Sequence, residues 1–575
     1  MKRKYLIKHY VLIKGRKILR FLIPRELRIL SESLYTGFSA FSTKKIITTK
    51  DFPIYSNGDV AFYKYPFLEF NNNQYFAQVH GHRFVTDVTA GKRAYINYTS
   101  EIFTGKLCNK RTDISVDEDS VVPISIINKS TDARLANIDI TTETGKIALH
   151  DLKHNRFHYL PIPAKKKISL CVDGDYILGD PLAMEQTIKT KKKLVITIFI
   201  DGLASAALKK KSFDKLMPNT YNYFKGNAMH YNGYANGIWT LPSVASIVSG
   251  LYVINHRYYR PDPPPCVGDG YTLMSDYFKN NGYLTSQICG CHRKGPNYNY
   301  CQGFDRTLYR FSMGCEEVVT NAMEQLRAFK NRSHYMWLTM FETHHFLHGI
   351  PDISNQVETD ISLRNYRDRN TESPHLPPDL SKRTERYILE LQRVDFYLKV
   401  LFNYIDDNYS DDEVVVSVCS DHGKTYLDDQ PGRLAPHNIQ VPMLFKSSDI
   451  KSRDETSIVE NVDFLPSLLD LSGIEYNPDT LDGQSIFSNN YNKQHAITEN
   501  IYPGDPYYVV VYSDNYTFHV KSDAPIKTID DIDIYNCSYS IEDLSGDIIE
   551  TGITSALQSA LAKEQFSYLE KRQRS

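Results

Sequence analysis

Three features of the chain predict a doubly wound α/β sheet domain preceded by a β-rich domain. The first is a pair of apolar, β-branched runs, Leu194 to Ile200 and Val414 to Val418. Runs of this length and composition read as strands buried on both faces, as in a parallel sheet covered by helices. The second is the alternation of such runs with helical stretches from residue 194 to about 535, the pattern of a layered α/β domain. The third is the character of residues 40–185, where short apolar or aromatic runs are broken by turn signals. Asn71-Asn72-Asn73, Thr144-Gly145-Lys146 and Asp173-Gly174-Asp175 are examples, and their spacing suits a β-rich module such as a sandwich.

At 575 residues the chain exceeds one usual core and is expected to hold two or more domains. We expect a basic amphipathic segment at 1–35, a β-rich accessory domain at 36–190, a catalytic α/β domain at 191–535 and a C-terminal helical tail at 536–575. A hydrophobic content of 41% and a charged content of 23% are ordinary for a soluble globular protein. The net charge of −1 argues against nucleic acid as a partner, which wants a basic face.

The charge is unevenly spread, because residues 1–30 hold ten Lys or Arg against the single Glu26. Apolar triplets such as Tyr5-Leu6-Ile7 and Phe21-Leu22-Ile23 alternate there with the basic residues. None of them approaches the roughly 18–20 residues needed to span a bilayer. The segment therefore reads either as an amphipathic helix lying on an anionic membrane surface or as a solvated or subunit-docking helix. Nine scattered cysteines do not look like a disulfide framework. With no secretion signal, the expected location is cytoplasmic, peripheral at the inner face of the membrane if the basic segment binds there.

In parallel sheets of this kind the chemistry sits at the carboxyl ends of the strands. The first run ends in Asp201-Gly202 and the second in Ser420-Asp421-His422-Gly423. Between them, Trp239-Thr240-Leu241-Pro242-Ser243 supplies a hydroxyl just ahead of a helix start. A threonine hydroxyl is a poor nucleophile at neutral pH and needs a base or a metal. Coordination to a divalent cation lowers its pKa and polarises a bound substrate oxygen at once. Asp201, Thr240, Asp421 and His422 offer oxygen and nitrogen ligands suited to zinc or manganese, one ion or two, with calcium or magnesium less favoured. Taken singly, Asp201 reads as a strand-end cap and His422 as a core histidine; together they read as a metal site.

These segments resemble the sulfatase-like branch of the alkaline phosphatase superfamily. The resemblance covers residues 194–525, and it implies the alkaline-phosphatase-like fold. Thr240-Leu241-Pro242-Ser243 stands where sulfatases carry their nucleophile in Cys-x-Pro-Ser-Arg. Cys291-His292-Arg293-Lys294, Gly303-Phe304-Asp305, Ser420-Asp421-His422-Gly423 and Asp463-Phe464-Leu465-Pro466 follow in the family's order. Three departures carry meaning. Sulfatases convert a cysteine or serine to formylglycine, which a threonine cannot undergo. Their paired aspartates after the first strand are here the single Asp201, and their motif arginine is Val244. A threonine with a single Asp-Gly resembles instead the phosphodiesterase and phosphoalcohol-transferase members.

The resemblance also implies a histidine after the run Met336 to Met340, where His344 is the nearest match and His348 lies one helical turn on. His437, ahead of the Val441 run, falls where many members hold a metal-ligating or transition-state histidine. Arg293, Lys424 and His348 are candidates for binding the substrate. The expected activity is a metal-dependent hydrolase or transferase working through phosphothreonine on a phosphoester-bearing small molecule, lipid headgroup or glycan, such as one of the cell envelope. A sulfate-ester hydrolase and a catalytically dead binding module of the same fold are the alternatives.

Overall fold

A computed structural model describes residues 45–572, apart from 49–52, 58–59, 64, 71, 81–98, 128–134, 187, 189, 260–269, 346–379, 428–433 and 451–456. The basic segment 1–35 and His348 therefore lie outside the described residues. Among those described, no helix is long and apolar enough to cross a membrane.

Every residue of the strand Leu194–Ile200 is buried, so it occupies the middle of a sheet. It pairs in parallel with His334–Met340 on one side and Val414–Cys419 on the other. Beyond His334–Met340 come Leu284–Cys289 and Arg306–Tyr309, also parallel. Beyond Val414–Cys419 the antiparallel strand Gln440–Lys446 leads to Ala228–Tyr234. The side chains of the central strand alternate between the two faces. Ile196, Ile198 and Ile200 pack in one core with the helices Cys315–Ala328 and Leu380–Asn408. Val195 and Phe199 pack in another with the helices Thr240–Ser249 and Phe464–Ser472. Each such side chain, fully buried, contributes about 1.5–3 kcal/mol, which fixes the strand in the centre and its two ends in space.

The β-rich region before residue 190 joins this sheet at its edge. Arg306–Tyr309 pairs antiparallel with the strand Ser100–Ile114, Thr307 opposite Ile102. The buried Glu101 reinforces that seam by accepting from Arg306 Nε at 2.6 Å and from the Tyr159 hydroxyl. At the other end of the chain the expectation of a helical tail from 536 needs correction. Ser538–Asp543 and Ile548–Ile553 are strands that complete a five-stranded antiparallel sheet, and only Ala560–Lys571 is helical. Their alternation of apolar and polar residues, as in Tyr539-Ser540-Ile541-Glu542, is the period-2 signal of a sheet with one wet face.

Candidate active site

Strand register brings the two acidic strand ends together. Phe199 lies opposite Cys419 in the parallel pair, so Asp201 and Asp421 leave neighbouring strands at the same height. Both are wholly buried, and with His422 they offer ligand atoms within 4.8 Å of one another. The turn after the first strand is possible because Gly202 adopts φ +73°; a Cβ there would also collide with the Lys424 side chain.

The hydrogen bonds leave this cluster deliberately incomplete on one side. Asp421 Oδ1 accepts from the backbone of Gly202 and of His422, both at 2.9 Å. Asp421 Oδ2 and Asp201 Oδ1 are buried with no hydrogen-bond partner. An unpartnered buried carboxylate oxygen costs several kcal/mol unless a cation meets it. The nearest protein cation, Lys424 Nζ, stands 4.0 Å from Asp201 Oδ1. Burial, followed by the neighbouring Asp421, pushes the Asp201 carboxyl well above its ordinary range. Burial lowers the pKa of His422, which favours the neutral ring. Its Nδ1 lies 2.8 Å from the Gly423 carbonyl, so Nδ1 carries the proton and Nε2 keeps a free lone pair. Two orphaned hard oxygens and one aromatic nitrogen fit a divalent cation.

Thr240 is the first residue of the helix Thr240–Ser249, with Trp239 extended before it. Its Oγ1 is 3.4 Å from His422 Nε2. The hydroxyl thus faces the same cluster. The helix start is held by Ser243 Oγ, which donates to the Gly237 carbonyl at 2.7 Å, and by Tyr300, whose hydroxyl donates to the Leu241 carbonyl at 2.8 Å.

The other residues singled out from sequence fall at different removes. The Arg293 guanidinium lies over the Trp239 ring at 5.4 Å and donates to the Tyr298 hydroxyl at 2.8 Å, beside the Thr240 helix start. His437 is buried, and its carbonyl packs so closely on Gly423 that a Cβ there would clash. His344 stacks on Phe341 with centroids 4.7 Å apart. Its neighbour Thr343 donates its hydroxyl to the Asp201 carbonyl. Two contributors escaped the sequence reading. Thr343 is one. The other is Cys291, a buried free thiol whose Sγ donates to Asp201 Oδ2 at 3.5 Å. The sequence marks Cys291 only as a free buried thiol, not as a partner of Asp201.

Residues 193–474 match the family described as Sulfatase. Among solved structures, the candidate sulfatase yidJ of Bacteroides fragilis superposes with a TM-score of 0.50 at 15% identity, over 68% of this chain and 97% of that one. The phosphonate monoester hydrolase SpPMH of Silicibacter pomeroyi gives 0.49 at 15% identity, over 66% and 94%. BT4656, solved with its substrate D-glucosamine-2-N,6-O-disulfate, gives 0.49 at 14% identity, over 66% and 96%. Residues 193–474 thus carry the match to the Sulfatase family, and the α/β region has the fold of a sulfatase-type structure.

Proposed function

We propose that the protein is a metal-dependent phosphoester hydrolase or transferase in which Thr240 is the nucleophile. The observation that carries this reading is the threonine itself. It stands at the start of the Thr240–Ser249 helix, its Oγ1 3.4 Å from His422 Nε2. Threonine has no route to the formylglycine of sulfate-ester cleavage, yet its hydroxyl suits direct attack on phosphorus.

Asp201, Asp421 and His422 would hold the divalent ion, zinc or manganese. Once bound, the ion would lower the pKa of the threonine hydroxyl and polarise a phosphoryl oxygen. The Thr240 hydroxyl gives up its proton to solvent, its oxygen attacks phosphorus, the bond to the departing alcohol breaks, and phosphothreonine forms. Lys424 and Arg293 answer the anionic phosphoryl oxygens. His437 or His344 supplies the proton that the departing alcohol takes up. Water, or a second alcohol in a transferase, then attacks phosphorus and frees Thr240. The substrate class is a phosphoester on a small molecule, lipid headgroup or glycan.

The test is a panel of phosphomonoester, phosphodiester and sulfate-ester chromogenic substrates with metal analysis of the same preparation. We expect phosphoester turnover at stoichiometric metal, and an acid-quenched adduct on Thr240 seen by mass spectrometry. Turnover of sulfate esters alone would overturn the reading in favour of an unmodified sulfatase. A metal-free, inert protein would favour a binding module.

A further inference from the structure

A second group of ligand-type side chains lies behind the loop that holds Asp201. Cys315, Glu316 and Glu342 present a thiol and two carboxylates within 4.8 Å of one another. Two separate elements deliver them. Cys315 and Glu316 open the helix Cys315–Ala328, and Glu342 follows the strand His334–Met340. The long helix Leu380–Asn408 closes the group with Arg393 and Glu390.

Glu342 is the informative member. Its Oε1 accepts from the Cys315 backbone N–H, an ordinary task for a carboxylate at a helix start. Its Oε2 is buried with no hydrogen-bond partner, and the residue is only 9% exposed. Cys315 Sγ lies 3.8 Å from Glu316 Oε2. Arg393 Nη2 meets Glu316 Oε2 at 2.6 Å, and Arg393 Nη1 lies 3.8 Å from Glu390 Oε2. One guanidinium is thus shared between two carboxylates, with Arg386 two turns earlier along the helix.

We propose that Cys315, Glu316 and Glu342 form a second metal site, additional to the strand-end cluster, that takes a zinc-type ion. A thiolate beside carboxylates selects a borderline-soft cation over calcium or magnesium. The thiol proton leaves to solvent as the ion binds. The site ties the start of the 315–328 helix to the loop after the 334–340 strand. In that loop Glu342 faces this group while the next residue, Thr343, holds the Asp201 carbonyl. The ion would therefore brace the backbone from which Asp201 reaches the candidate active site.

The experiment uses the full chain, stripped with a chelator and reloaded with zinc for counting or with cobalt(II) for spectroscopy. Wild type is expected to show thiolate-to-cobalt charge-transfer absorption. Cys315→Ser should lose that absorption and about one bound zinc per chain. Asp421→Asn should keep the absorption while losing the metal of the strand-end cluster. Glu342→Gln, which preserves shape, should weaken zinc at this site by about tenfold or more, since even an outer partner of a ligand costs that much. It also keeps the question answerable if Cys315→Ser does not fold. Equal zinc content in wild type and both variants would overturn the proposal. So would a thiolate band that vanishes in Cys291→Ser but survives in Cys315→Ser, which would move the thiolate to the strand-end cluster.

Discussion

Glu460 and Asp463 are buried carboxylates, as Asp201 and Asp421 are, and the two pairs can be compared oxygen by oxygen. Glu460 accepts from Asn236 and the Ile497 backbone on one oxygen, and from Tyr252 and Lys493 on the other. Asp463 accepts from Lys493 and the Gln484 backbone on one, and from the Glu460 backbone and Tyr491 on the other. Lys493 bridges the pair at 2.6 and 2.7 Å. At the strand ends the lysine stands off at 4.0 Å and two oxygens remain unmet. The first pair carries its cation within the fold and is a structural device. The second has the same burial but leaves two carboxylate oxygens without a partner, which is what a metal site requires.

The comparison can be broken most sharply at the nucleophile. Thr240→Ala removes the attacking oxygen and leaves the carboxylates in place, so metal content should hold while phosphoester turnover falls by about a thousandfold or more. Thr240→Ser should keep substantial activity. A Thr240→Ala enzyme working at the wild-type rate would mean that water attacks directly.

Lys493→Met probes the satisfied pair. It strands two buried carboxylates, and breaking a buried pair in this way costs about 3–5 kcal/mol. Chemical denaturation should register that loss with no change in metal content. Asp421→Asn should do the reverse, lowering metal content and activity together. Lost activity with full metal occupancy would remove Asp421 from the ligand set.

A third buried carboxylate, Glu101, extends the satisfied class to the seam with the N-terminal β region. Burial opposes its ionisation, yet Arg306 and hydrogen bonds from His80 and Tyr159 hold its pKa down to about 2, against 4.5 ordinarily. A depressed folded-state pKa gives stability that is present above the unfolded value and lost as pH falls through the folded one. The contribution should be constant above about pH 5 and should fade between 4.5 and about 2. It amounts to roughly 3 kcal/mol. Glu101→Gln should flatten that part of the stability profile, measured as denaturation midpoint against pH.

How much of this was legible in the sequence follows from the range of the interactions. The strands at 194–200 and 414–419 were legible because burial on both faces leaves an unbroken apolar run. Asp201, Asp421 and His422 were legible as the first polar residues after those runs. Thr343 and Cys291 were not, because their contacts with Asp201 join positions 142 and 90 residues apart, and only sheet order decides them. The strands at 538–553 were missed because the exposed side of an outlying sheet is polar enough to pass for a solvated tail. The edge pairing of Ser100–Ile114 with Arg306–Tyr309 was hidden for the reason Thr343 was. Lys493 drew no notice, since a lone lysine in sequence looks solvated until the fold buries it between two acids.

The smallest expected effect tests the incomplete pair without its metal. In the metal-free protein the Asp201 carboxyl is raised well above its ordinary range, by burial first and by Asp421 second. A raised folded-state pKa means that the folded protein holds the proton more tightly than the unfolded chain does. Asp201 therefore costs no stability below the unfolded value, near 3.9 for an aspartate. The cost grows as pH rises toward the folded value. Asp201→Asn removes this charge and keeps the shape. It should stabilise the metal-free protein at neutral pH by about 0.5–2 kcal/mol, as substitutions at strained functional sites do. The gain should shrink as the pH is lowered toward 4, where wild type carries the proton anyway. Added zinc or manganese should stabilise wild type and not the variant. A metal-free Asp201→Asn protein less stable than wild type at neutral pH would mean that Asp201 is held by partners inside the fold, as Glu460 is, and the contrast between the two pairs would fail.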